Sequence, residues 1–235
     1  AAMSDMVVPY GSADPMHSWK AVHDGTEYGF GRLSNSLTLG CDCLGEIHYF
    51  NSSGISFDGS VEVIENAICL HEEDYGIQWK HNDGMGAPNE VRRSRRLVIS
   101  SISTIGNYDY GLFWYLYLDG TIEAEVKLTG IVGISAYNED KHNPNQDLRI
   151  SKELVSPVHQ HLFCMRLDWN LDGGNNQLFE SEIELMPDDD NNLHGMQFQS
   201  VSTHLKTEHE AKRDISPATS RVWKVVNPQK KNGMG

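Results

Sequence analysis

Polar and apolar positions alternate with a period of two along much of the chain. After Asp119-Gly120, Ile122, Ala124, Val126 and Leu128 alternate with Glu123, Glu125 and Lys127, which predicts a strand with one buried and one wet face. The run before that turn, "LFWYLYL" (Leu112–Leu118), is apolar on both faces and predicts a central strand. The Asp-Gly pair between the two runs predicts a hairpin. "GEIHYF" (Gly45–Phe50), "SVEVIENAICL" (Ser60–Leu70) and "RRLVISSIST" (Arg95–Thr104) predict three more strands, being short, rich in β-branched or aromatic residues and bounded by turn formers. Helical signal is confined to Lys206–Asp214 and to Asp14–Val22, where Pro15 follows an Asp cap. The polar stretches Asn82–Glu90, Asn138–Asp147 and Pro187–Gly195 predict long loops. No internal repeat or linker divides the chain, so residues 1–235 are expected to form one domain with no internal boundary. Many strands and few short helices predict an all-β class, a large antiparallel β-sandwich.

A chain of 235 residues, 39% hydrophobic and 22% charged, is long enough to bury a substantial core. No run approaches the roughly eighteen apolar residues of a membrane span, and no basic-plus-apolar leader opens the sequence. A net charge of −14 argues against nucleic acid as a partner and suits cationic small ligands. The basic run "RRSRR" (Arg92–Arg96) is read as a solvated or ion-paired strand entry, since "LVIS" follows it directly and acids are plentiful. Cys41, Cys43, Cys69 and Cys164 lack the spacing of a zinc site. One disulfide and two thiols fit better, with the pairing open.

The sharpest metal signal is "VHQHLF". In an extended strand residues i and i+2 share a face, so His159 and His161 can converge on one ion such as copper, zinc, iron or nickel. A third ligand must come from elsewhere, and His71 and His81 are conceivable. Asp24 in "AVHDGTEYG" reads by itself as a turn cap, and Tyr10 in "MVVPYG" as a packed ring. One feature fits no packing role: Asn107-Tyr108-Asp109-Tyr110 places two tyrosines around a carboxylate just ahead of the most apolar strand.

Asn107-Tyr108-Asp109-Tyr110 resembles the N-Y-[D/E]-x cofactor motif of the copper-dependent primary amine oxidases. "MVVPYG", "LGCDCLG", "CLHEED", "RRSRR", "DGTIEAEVKLTG" and "VHQH" resemble further blocks of that family in its order, from Met6 to about Asn227. The resemblance implies that Tyr108 is oxidised to topaquinone with copper and dioxygen, and that His159 and His161 are two of three copper histidines. It implies Asp24 as catalytic base, Tyr10 as a hydrogen-bond partner of the quinone, and Asn107 as the residue orienting it. Tyr110, Tyr28 and Ile105 are implied to line the substrate site, with simple packing as the plain alternative for Ile105. Asp168 aligns with a ligand of a peripheral calcium-type ion. Cys43 and Cys69 align with an intrachain disulfide, leaving Cys41 and Cys164 as buried thiols.

The implied reaction is oxidative deamination of a primary amine. The amine condenses with the quinone carbonyl, and Asp24 removes a proton from the carbon beside nitrogen, a task suited to a carboxylate made more basic by desolvation. Aldehyde, ammonia and hydrogen peroxide are the products. The resemblance further implies a homodimer in the full-length protein and a place among the bacterial and peroxisomal branches, hence cytoplasm or peroxisome. No block resembling T-H-[FIV]-P-R occurs, so the third histidine is expected outside these residues. The chain is expected to be the front part of a catalytic domain truncated at both ends, binding copper weakly by itself. The competing class is a non-catalytic or cupin-like metal-binding β-sandwich. Cupins follow H-x-H closely with a glutamate, and here "LFCMRLDWN" follows.

Overall fold

A computed structural model describes residues 1–11, 29–141 and 143–234. Its strands pair in antiparallel sheets, and its helical elements are two single 3₁₀ turns, Phe30–Leu33 and Pro217–Thr219, so the all-β class holds among the described residues. The chain divides into two compact units, Met3–Met165 and Arg166–Gly235 with Ala1–Ala2.

The larger unit is built on a five-stranded meander, β2 (Ile47–Ile55), β3 (Val61–His81), β4 (Glu90–Ile105), β5 (Tyr108–Tyr117) and β6 (Ile122–Gly130), hydrogen-bonded in that order. The doubly apolar run of β5 sits between β4 and β6, and the alternating run is the edge strand β6, as its polar face requires. A second layer pairs β1 (Ala2–Val7) with β10 (Leu162–Arg166). Met6 and Val8 pack on Ile105 and Tyr110 of the meander, all four nearly inaccessible. A small sheet joins β7 (Ser135–Ala136) and β8 (Asp147–Arg149) to β9 (Leu154–Pro157). A second core holds Leu37, Cys43 and Cys69 with Ile47, Tyr49 and Ile102 around them.

β3 and β4 run further than their apolar residues predict. β2 covers β3 only as far as His71, and β5 covers β4 only from Arg96, so residues 72–81 and 90–95 continue as a two-stranded arm. Cross-strand charge pairing holds the arm: Arg93 meets Asp74, Arg95 meets Glu72, and Arg96 binds Glu73 at 2.9 Å. The ion-paired reading of "RRSRR" therefore holds.

In the smaller unit β11 (Gln177–Leu185) lies between β12 (Phe198–Leu205) and β13 (Val222–Val226). The predicted helix Lys206–Asp214 is instead a turn closed by Ala211 N–H on Thr207 O at 3.1 Å. The segment has only Ala211 as an apolar residue, so a helix there would have no face to bury. Its Arg213 instead reaches back to the buried Glu180 at 2.7 Å. The second predicted helix, Asp14–Val22, lies outside the described residues.

Candidate active site

The turn between β4 and β5 is two residues long. Ile105 pairs with Tyr108 across it, and Gly106 takes φ 61° at its first central position, the place a type II′ hairpin turn reserves for glycine. Tyr108 thereby becomes the first residue of β5, and Tyr110 follows on the same face. Between them Asp109 points the other way, where its carboxylate accepts a 2.5 Å hydrogen bond from Thr104 Oγ1. Asn35 Nδ2 donates to that threonine oxygen at 3.1 Å. The carboxylate between the tyrosines thus anchors the base of the hairpin, and the tyrosines are left to face the second layer.

What they face is the extended stretch between β9 and β10. His159 and His161 do not lie in a regular strand, yet their i, i+2 spacing brings the rings together with centroids 5.0 Å apart. Tyr108 lies 5.5 Å from His159 and 5.2 Å from His161. Tyr10 stacks on His159 at 4.5 Å, held there by an antiparallel bridge between the two residues. Phe30 and Phe163 close on Tyr110 at 5.7 and 6.1 Å. Three tyrosines and two imidazoles from three stretches of chain therefore form one cluster at the junction of the two layers.

Its hydrogen bonds orient the imidazoles. His159 Nδ1 donates to Pro157 O at 2.8 Å, which fixes the tautomer and leaves Nε2 as the nitrogen able to ligate a metal. His161 Nδ1 lies 3.1 Å from the Tyr110 hydroxyl. Tyr110 is fully buried, and burial together with the nearby Tyr108 pushes its phenol up to about 12, so it stays a neutral partner for His161. Burial also pushes the Tyr10 phenol upward, reinforced by the nearby Tyr108 and Tyr110. Two imidazoles braced through Nδ1 fit a metal such as copper. Among the described residues no group of three His, Cys, Asp or Glu side chains that could hold a metal is present.

The remaining candidates are dispersed. Asp24 and Tyr28 lie outside the described residues. The Asn107 side chain is exposed at the turn, while its carbonyl accepts Ile131 N–H at 2.7 Å. Ile105 is buried in the core with Met6, Val8 and Tyr110. Asp168 is exposed in the irregular segment after β10, in the smaller unit. His71 is occupied elsewhere, with Nδ1 at 3.3 Å from Cys69 Sγ and Nε2 at 3.1 Å from Glu73, and His81 sits 4.0 Å from Asp83 at the tip of the arm.

The four cysteines fall into one buried and one exposed pair. Cys43 and Cys69, expected as a disulfide, are neighbouring buried thiols here, with the Cys69 sulfur engaged by His71 Nδ1 and its ionisation pushed up to about 12 by burial and by Cys43. Cys41 and Cys164, expected buried, are exposed. Cys41 sits on a tight turn closed by Asp42 N–H on Thr38 O at 2.9 Å, and Cys164 alternates outward after Phe163 packs inward. Reading the sequence missed Phe30, Phe163, Gly133 and Ser156. Only the glycines of "LTGIVG" carried a local hint of close backbone approach there.

The family model described as "Copper amine oxidase, enzyme domain" matches residues 1–235. A histamine oxidase of Arthrobacter globiformis is 47% identical over 239 residues, covering 100% of this chain and 34% of the relative. A peroxisomal copper-containing diamine oxidase of Nicotiana tabacum is 41% identical, covering 98% of this chain and 30% of the relative. The solved copper-containing benzylamine oxidase from Hansenula polymorpha superposes with a TM-score of 0.81 at 30% identity, over 97% of this chain and 36% of that one. The chain belongs to the copper amine oxidase family, as the cluster of Tyr108 with two braced imidazoles on an all-β frame had indicated. It spans about a third of the length of the curated relatives it matches.

Proposed function

We propose that the protein carrying this chain oxidises primary amines to aldehydes, consuming dioxygen and releasing ammonia and hydrogen peroxide. The observation that carries this reading is the placement of Tyr108 against His159 and His161, each with Nδ1 hydrogen-bonded. Nε2 of each imidazole would hold copper(II), and Tyr108 would be the tyrosine converted to topaquinone. Bound copper and the quinone supply the redox chemistry, accepting the amine's electrons and passing them to dioxygen.

The chain's own residues prepare that site. Tyr10 buttresses one face of His159 and so orients that imidazole beside Tyr108. Tyr110 holds His161 from behind. The packed rings of Phe30, Phe163 and Tyr110 exclude water from this side, which strengthens each polar contact inside. Asp24 is the proposed base for the amine's α-proton, and Tyr28 and Ile105 the proposed substrate contacts. A site drawing in a cationic amine suits a chain of net charge −14. Asp168 is the proposed ligand of a peripheral calcium-type ion, and Cys43 with Cys69 the pair that closes a disulfide on oxidation.

A homodimer is the proposed assembly. The β3–β4 arm exposes Tyr75, Ile77, Trp79 and Met85 on a ribbon too thin to bury them itself, and a second copy is the proposed cover.

The test supplies copper and air to the copper-free full-length protein and follows intact mass and redox-cycling quinone staining. A gain in mass at Tyr108, absent in Tyr108→Phe, is expected, and an unmodified Tyr108 in a copper-loaded protein overturns the proposal. The isolated 235-residue chain, with two braced imidazoles, is expected to convert Tyr108 poorly.

A further inference from the structure

The loop that leaves β6 folds back over Tyr108 and touches its hydroxyl. Gly130 ends β6 opposite Tyr108 with φ 101°, where a Cβ would stand 2.4 Å from Asn107 O. Only glycine lets the chain pass so close. Ile131 N–H then donates to Asn107 O at 2.7 Å, and two residues on Gly133 N–H donates to the Tyr108 hydroxyl at 3.1 Å. A Cβ on Gly133 would lie 3.3 Å from that oxygen, so here too a bare backbone permits the approach. The carbonyl of Gly133 is held in turn by Ser156 Oγ, which donates to it at 3.0 Å.

Ser156 is buried in β9, where Val155 before it pairs with Ser135 and Ser156 itself pairs with Leu148. It stands three residues ahead of His159. One short span of chain therefore braces the loop that holds Tyr108 and also leads into the two imidazoles. Nothing in the proposed oxidation uses Ser156 or Gly133 directly. The amide of Gly133 donates to the Tyr108 hydroxyl oxygen and so fixes where that oxygen stands relative to the two imidazoles. Donation from Ser156 keeps the loop from drifting off the ring.

We propose that Ser156, acting through Gly133, is a positioning residue for Tyr108, holding its hydroxyl on the Gly133 amide beside His159 and His161. The inference rests on Tyr108 being the residue that is oxidised, so its test has one arm that does not depend on oxidation. In the copper-free full-length protein, hydrogen exchange at the Gly133 amide is expected to be slow, and about tenfold faster in Tyr108→Phe and in Ser156→Ala. Ser156→Thr, which keeps the hydroxyl, is expected to restore protection. In the second arm copper and air are added, and mass gain at Tyr108 is timed. Ser156→Ala is expected to convert about tenfold more slowly at equal copper occupancy and unchanged melting temperature.

Wild-type exchange and conversion in Ser156→Ala overturn the proposal. So does slowing that appears only together with lost copper or a lowered melting temperature, because Ser156 then merely supports β9. Should Ser156→Ala fail to fold, Gly133→Ala, which crowds the amide away from the hydroxyl, is expected to reproduce both effects, and wild-type values in it overturn the proposal. A wild-type protein that never oxidises Tyr108 defeats the proposed function alone, and the exchange arm then decides the positioning role.

Discussion

β5 ends in a glycine turn at each extremity, and the two turns are held in opposite ways. At the far end Leu118-Asp119-Gly120 closes on itself: Gly120 N–H donates to Tyr117 O at 3.1 Å and Thr121 N–H to Asp119 Oδ1 at 2.9 Å. A Cβ on Gly120 would meet only open space. At the near end Gly106-Asn107 has few local supports, and its fixings come from distant parts of the chain. Asn107 O takes Ile131 N–H, Asp109 is tied through Thr104 to Asn35, and Tyr108 is pinned by Gly133. A turn that only reverses the chain can be written in four adjacent residues. A turn that must aim a side chain at two imidazoles is fixed from several directions, and its mutations should travel further.

That contrast orders the expected effects. Gly130→Ala, which forces a Cβ onto Asn107 O at positive φ, is expected to cost about 3 kcal/mol in urea unfolding and to disrupt the near turn. A loss no larger than that of a distal glycine would remove the claim that the near turn is held from outside. Thr104→Val, isosteric but unable to donate to Asp109, is expected to cost about 1–2 kcal/mol, with Asn35→Ala adding little once the threonine hydroxyl is gone. Full additivity in that double mutant would show the two contacts to be independent. Gly120→Ala at the far turn, strained only by its φ of 86°, is expected to cost about 1 kcal/mol and to leave Tyr108 conversion unchanged.

The smallest effect belongs to the polar network at the far end. Arg96 binds Glu73 and donates to the Tyr117 hydroxyl at 3.2 Å, and that hydroxyl donates to Glu123 at 2.6 Å. Burial pushes the Glu73 carboxyl up, but hydrogen bonds from Arg96 and His71 outweigh it and hold the group below its ordinary value. A carboxyl lowered in the folded state contributes stability above its unfolded pKa of about 4.3, and that contribution is lost as pH falls through the folded value. Urea midpoints measured from neutral pH into this acid range should fall more for the wild type than for Arg96→Gln. With the Glu73 side chain 36% exposed and screened, the difference should stay under about 1 kcal/mol. Equal acid sensitivity in the two proteins would place the loss on other carboxylates.

Much of the meander was legible because each signal was local. The alternation from Ile122 to Leu128 and the two-faced apolar run of β5 state their own burial, and Asp119-Gly120 states its own turn. The β3–β4 arm was not legible, since the predicted strands stop at Leu70 and begin again at Arg95, and Glu72, Glu73 and Asp74 have no apolar pattern until Arg93, Arg95 and Arg96 stand opposite them. The helix expected at Lys206–Asp214 had no apolar face to bury. In the site, His159 and His161 were named from their i, i+2 spacing and Tyr108 and Tyr10 from motif resemblance, while Phe30, Ser156 and Gly133 gave no motif to find.

By itself the sequence determined the strands, the class and the residues of the cofactor motif, because strand propensity, turn chemistry and the i, i+2 spacing of two histidines are properties of neighbours in the chain. Tertiary structure alone decided which of those residues meet. Tyr10, Tyr108, His159 and Ser156 are brought together by pairings spanning up to about 150 positions, and the Gly133 amide that meets Tyr108's hydroxyl and the Tyr110 hydroxyl that meets His161 arrive there only through the tertiary fold. Contacts of that range depend on where the whole backbone goes, and no local pattern encodes them.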